Sequence, residues 1–182
     1  MDLTTSGTQA LSTLIGVLRE AEVSPRSPWL ITACVTVVEA HVDRVLKGLV
    51  AASGLAESTF GSAILSRYAS DFTRTWSDRF HWLDRGFNVA ANGETEGQDM
   101  QTAIELRNAI VHGDMNLTDL QVEKLAAMVQ LKRRLWSVLD VECLGRRLVL
   151  SDRTPVKAAT VCVKFVRYFD AKVILAHPTR EF

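Results

Sequence analysis

SPWLITACVTVVEAHVDRVLKGLVAASG, residues 27–54, reads as one long helix. Ser27-Pro28 supplies an N-cap and a first-turn proline, Gly54 supplies a stop, and the helix is expected from Trp29 to about Ser53. Val35, Val38, Val42, Val45, Leu46 and Leu49 recur at three- and four-residue steps. Such a stripe has to be buried against other helices.

Working outward, the same periodicity persists. Leu11, Leu14, Ile15 and Leu18 place a first helix over about 8–22, interrupted by Pro25 and Pro28. Two shorter helices follow, over about 57–69 and 72–85, the second ending at Gly86. NVAANGETEGQ, residues 88–98, is the clearest loop, polar and with an Asn-Gly turn. A helix over about 99–112 is closed by Gly113 at its C′ position. Thr118 with Gln121 forms a capping box, with Leu117 and Val122 as its hydrophobic staple, and this helix is expected to run to about Cys143. Over 155–176 two patterns compete. Val161, Val163 and Phe165 alternate as in a strand, whereas Thr154-Pro155 opens a helix and Lys157, Thr160, Lys164, Arg167 and Ala171 form a helical face. The helical pattern extends further, so the expectation is an all-α, up-and-down helical bundle in a single domain over 1–182.

Composition agrees. The chain has 182 residues, 47% hydrophobic and 23% charged, enough to bury a core without a disulfide or structural metal. Lys plus Arg equals Asp plus Glu at 21 each, which argues against coating nucleic acid by bulk charge and leaves room for a local basic site. Cys34, Cys143 and Cys162 have no CxxC spacing and are expected as reduced core thiols. MDLTTSGTQ carries no basic, then apolar, leader pattern, and the uncharged apolar run 27–38 falls short of membrane-spanning length. A soluble, cytoplasmic protein without a membrane partner is the expectation, with no cofactor and no metal.

One segment concentrates chemistry: Glu105-Leu106-Arg107-Asn108-Ala109-Ile110-Val111-His112-Gly113. On a helix Asn108 and His112 share a face, and Arg107, about 140° round from His112, still reaches it with a long side chain. His112 falls in the last turn, a place that suits a histidine exchanging a proton. The spacing alone is common, since 15 Arg and 4 His place an Arg five before a His in roughly one such chain in three. Arg74 and His81 form a second, looser match. The combination of Asn, apolar triplet, helix end and glycine is what distinguishes residues 107–113.

Those residues resemble the signature of the HEPN superfamily, an Arg followed by a polar residue and, after a short interval, a His. The resemblance covers about two thirds of the chain, from the Trp29 helix through the Thr118 helix. It implies a four- to five-helix core with extra helices, and an acidic residue on the preceding long helix, where Glu39 stands. It further implies metal-independent endoribonucleases working as homodimers, often toxins or antiphage effectors, with an antitoxin or defence-system protein as partner. The branch paired with nucleotidyltransferase antitoxins has a Tyr two residues after the His; Asp114 stands there instead, which sets this chain apart from that branch.

Chemistry makes sense of the implied dimer. Cleaving RNA without a metal needs a base for the 2′-hydroxyl, an acid for the departing 5′-oxygen and positive charge on the phosphorane. One chain offers a single His in the motif; a two-fold dimer offers two. The candidate site is therefore Arg107, Asn108 and His112, with Glu39 added by the resemblance, and RNA as substrate. The alternative is a catalytically inactive HEPN bundle that binds RNA, a nucleotide or a protein. A helix-turn-helix DNA binder fits less well, because no basic recognition face stands out.

Plainer readings accompany each candidate. Arg107 and His112 also fit an ordinary helix-end pair, and Glu39 a solvated or locally paired carboxylate. His41 and His81 read as structural or surface residues, and His177 before Pro178 as part of an unstructured tail. Trp29, Trp76, Trp82 and Trp136 suit core or dimer contacts, with base stacking as the alternative for Trp82 beside His81. Lys132-Arg133-Arg134 with Arg146-Arg147 reads as a solvated face, the alternative being a path for an RNA backbone.

Overall fold

Each helix begins where a local cap makes it begin. The computed structural model describes residues 3–24 and 27–178. Thr4 accepts the Gly7 amide on its Oγ1 at 2.9 Å and opens α1 (Thr5–Val23). Pro28 stands at the first position of α2 (Pro28–Ala52); Ser27 is extended there, but its hydroxyl makes no capping bond. Gly54, at φ +73°, turns the chain into a short 3-10 turn, and α3 (Thr59–Tyr68) follows. A second 3-10 turn, Ala69–Thr73, leads to α4 (Trp76–Phe87), which runs past Gly86 and is closed by Asn88 in the left-handed region. The polar loop is shorter than expected, because α5 (Thr95–Gly113) starts at Thr95.

The capping box forms: the Gln121 side chain accepts the Thr118 amide at 2.9 Å, and Thr118 Oγ1 accepts the Gln121 amide at 3.4 Å. The helix it opens, α6 (Asp119–Val122), is one turn long, and the chain restarts as α7 (Leu125–Leu139). The expected continuation to Cys143 is replaced by a hairpin, β1 (Val141–Leu144) paired antiparallel with β2 (Arg147–Leu150). The reason is local. Asp140 takes a left-handed conformation, its amide closes α7 on Leu135 and Trp136, and Gly145 at φ +62° makes the turn. The ambiguous last segment is helical throughout, α8 (Thr154–Ala176). His177, expected in an unstructured tail, is tied down: its ring nitrogen donates to the Phe87 carbonyl at 2.9 Å.

Among the described residues, eight α-helices and one hairpin make up the chain. α8 lies against α1, α2, α5 and α7, so the all-α bundle is built around it. The α2 stripe of Val35, Val38, Val42, Val45, Leu46 and Leu49 is fully buried, as are Cys162, Phe165, Val166 and Phe169 on α8. Phe165 and Phe169 stack with their planes 8° apart. Each such side chain contributes about 1.5–3 kcal/mol by leaving water. The Cys162 thiol is held well above the usual thiol range, first by its hydrogen bond with Cys34 and then by burial, which suits an inert core residue. No helix among the described residues is long and apolar enough to cross a membrane.

One close approach sets where α5 begins. A Cβ on Gly97 would overlap the Ala91 carbonyl oxygen, so the loop can press on α5 only if this residue is glycine. Gly97→Ala is expected to lower stability by about 1–3 kcal/mol in urea unfolding, because the backbone facing it cannot step aside. An unchanged midpoint would show that the loop yields freely.

His41 is structural, as its plain reading had it, through a buried polar network. Asp170 on α8, fully buried, accepts the Thr4 amide at 2.9 Å, Thr4 Oγ1 at 3.0 Å and His41 Nε2 at 2.9 Å. His41 Nδ1 lies 3.0 Å from Ser6 Oγ. The carboxylate faces the first turn of α1 so closely that a Cβ on Gly7 would collide with it. Amides at a helix N-terminus suit an anion, and the network pins α1, α2 and α8 together.

Candidate functional site

Arg107, Asn108 and His112 all lie on α5, which carries them to its C-terminal end. The helix continues through Gly113, and Asp114 and Met115 then take left-handed conformations at φ +48° and +64°. Non-glycine residues adopt that region at some cost, so surrounding contacts must hold them there. The hairpin supplies them. The Leu117 amide donates to the Arg146 carbonyl at 2.8 Å, and the Leu148 amide to the Met115 carbonyl at 2.8 Å. The chain leaving His112 is thereby added to the edge of the hairpin.

Arg107 is the centre of the set. Its Nη1 donates to Asn108 Oδ1 at 3.2 Å and lies 3.4 Å from His112 Nε2. Arginine has no acceptor, so in this contact His112 Nε2 accepts and the ring proton sits on Nδ1. The helical spacing puts Asn108 and His112 on one face, yet it is Arg107 that touches both. Among the described residues no carboxylate pairs with Arg107, whereas Arg79 faces two and Arg134 and Arg146 face one each. Its Nε is buried without a hydrogen-bond partner, a cost of about 1–3 kcal/mol that folding alone would not favour. The half-buried guanidinium keeps its charge un-neutralised beside an exposed imidazole.

Glu39 is engaged elsewhere. Its carboxylate accepts from Arg79 Nη2 at 2.9 Å, and Arg79 also donates to Asp43 at 2.6 Å and lies over the Trp76 ring. This is a locally paired carboxylate, and no hydrogen bond or ion pair joins it to Arg107, Asn108 or His112 among the described residues.

The basic runs are also partly engaged. Lys132 donates to the Gly145 carbonyl at 2.6 Å, Arg134 Nε to Thr102 Oγ1 at 2.9 Å, and Arg146 to the Leu117 carbonyl and Asp119. Trp29 and Trp136 are exposed, at 73% and 60%. Trp82, at the surface, meets Phe72 edge-on at 4.7 Å and His81 at 5.7 Å.

Sequence reasoning missed the role of Gln121. The same side chain that closes the capping box donates from Nε2 to the Glu105 carbonyl at 2.9 Å and to its carboxylate at 2.6 Å. It thus locks α6 onto α5 just before the motif. No local signal announces that bond, because the partners stand 16 residues apart. Among the described residues no group of three or more His, Cys, Asp or Glu side chains is placed to hold a metal ion.

No protein-family model matches this chain, and no curated protein or solved structure is detectably similar to it.

Proposed function

We propose that the protein is a metal-independent endoribonuclease of HEPN type, with His112 as general acid and base and Arg107 binding the scissile phosphate. The observation that carries this reading is the guanidinium of Arg107, without a carboxylate among the described residues and in contact with both Asn108 and His112 at the exposed end of α5. The buried Arg79 is by contrast neutralised by Glu39 and Asp43, whereas Arg107 has its Nε buried without a partner among the described residues. A phosphate is the partner whose charge and geometry suit an unpaired guanidinium.

Two copies complete the chemistry. One His112 takes the proton of the 2′-hydroxyl, whose oxygen attacks the adjacent phosphorus. The P–O5′ bond breaks, and the second His112 protonates the departing oxygen. The products are a 2′,3′-cyclic phosphate and a 5′-hydroxyl. The paired Arg107 side chains stabilise the pentacoordinate phosphorus, and Asn108 holds Arg107 in place. Exposed apolar side chains suit a second copy: Leu120 and Leu125, on α6 and at the start of α7, are 81% and 71% exposed. A chain that cuts RNA has to be restrained in its own cell, which fits a toxin or antiphage effector held by an antitoxin or defence-system partner.

The test compares wild type with the Arg107→Ala/His112→Ala double variant on bulk RNA in EDTA. Cleavage by the wild type alone supports the assignment. Intact RNA with both proteins removes the enzyme reading and leaves the inactive binding bundle, which the zero net charge does not oppose.

A further inference from the structure

A cavity of about 580 Å³ opens between α4, the loop before α5, and the flanks of α5 and α7. That volume suits a ligand of nucleobase to nucleotide size. Asp84 and Arg85 stand on its α4 wall, Asn92 on the loop, Gln98 and Gln101 on α5, and Arg134 on α7. Arg134 is held in place by Thr102 at 2.9 Å and by Gln98 at 3.5 Å. Asn92 has no side-chain hydrogen bond among the described residues.

We infer that this cavity is a guanine-binding subsite for the RNA strand, an inference that rests on the ribonuclease reading above. The wall's carboxylate, Asp84, lies 3.6 Å from the Arg85 guanidinium, so the lining sets an acceptor beside donors, as the edge of a base requires. Guanine presents two adjacent donors, N1–H and the N2 amino group, on its Watson–Crick edge, and a carboxylate accepts both. Its O6 and N7 then accept from guanidinium or amide donors, which Arg85, Arg134 and Asn92 provide. Adenine and cytosine set an acceptor beside their amino group, and that lone pair would face Asp84. His81, an exposed residue of the lining that meets Trp82 edge-on, offers the stacking surface that single-stranded bases use.

The α5 face that lines the cavity at Gln101 runs on toward the motif. Gln101, Glu105, Asn108 and His112 follow steps of four, three and four residues, one face of the helix. Gln101 and His112 are about 16 Å apart along the axis, a span that a few nucleotides of single strand cover. Midway, Glu105 has its oxygens taken by the Gln101 and Gln121 amides, at 3.0 and 2.6 Å. Its charge turns phosphates outward and leaves the bases facing the helix.

The experiment uses the His112→Ala protein, so that no RNA is consumed, and two fluorescein-labelled oligomers of about twelve nucleotides. One is all uridine; the other carries a single central guanosine. Anisotropy titration is expected to give about tenfold tighter binding of the guanosine oligomer. Adding Asp84→Asn is expected to bring the ratio to one. Losing a negative charge tightens both complexes, so the ratio is the readout. Equal affinities in the parent protein, or a guanosine preference that survives Asp84→Asn, overturn the subsite. The two readings fail separately: guanosine selectivity without cleavage by the wild type removes the enzyme and keeps the subsite, while cleavage without selectivity does the reverse.

Discussion

Replacing His112 by alanine is expected to lower RNA cleavage by about a thousandfold or more, while thermal unfolding stays where it is. The first half follows from stoichiometry. In a two-fold site a single substitution removes both the base and the acid, each worth about 10²–10⁴ in rate. The second half follows from the surroundings of the side chain. His112 is exposed, and its one side-chain hydrogen bond among the described residues, to Arg107, is long at 3.4 Å. Deleting it empties no core and strands no buried group. The measurement is a single-turnover cleavage rate beside a melting curve. A variant that unfolds early would make His112 a structural residue; one that cuts at the wild-type rate would move the chemistry elsewhere.

Asp170→Ala is expected to act in the opposite sense, on stability first. It leaves the Thr4 amide and hydroxyl and the His41 ring nitrogen, all buried, without their acceptor. Removing one partner of a buried charged network costs about 3–5 kcal/mol. For a domain of this size that corresponds to a fall in Tm of about 10 °C. Asp170→Asn keeps the shape and one acceptor oxygen, so its loss should be smaller. The unfolding midpoints of both variants check this. An unchanged midpoint for Asp170→Ala would mean that α1 is held by its apolar contacts alone.

How much of this is legible in the sequence depends on how local each feature is. The α2 stripe, the Thr118–Gln121 capping box and the helical face of α8 are set by spacings of three and four residues, and all three appear as read. The Arg107–His112 contact was legible for the same reason: both groups ride on one helix, so helical geometry alone brings them within reach. Asp140 closes α7 in the left-handed region without being glycine, so the sequence pattern runs on to Cys143, and the four-residue strands beyond it give too little alternation to register. Glu39 was placed by resemblance, and nothing in its neighbourhood on the chain announces Arg79, 40 residues away. The Asp170 network joins residues up to 166 apart, and the Asp84 cavity assembles four segments. Such groupings are products of packing, and only the folded chain displays them.

The chemistry of the fragment ends tests the central assignment most directly. RNA cut by the wild-type protein in EDTA, analysed by mass spectrometry, should carry 2′,3′-cyclic phosphates and 5′-hydroxyls, and the Arg107→Ala/His112→Ala protein should leave it uncut. Fragments with 5′-phosphates and 3′-hydroxyls, or equal cutting by the double variant, would contradict the two-histidine site.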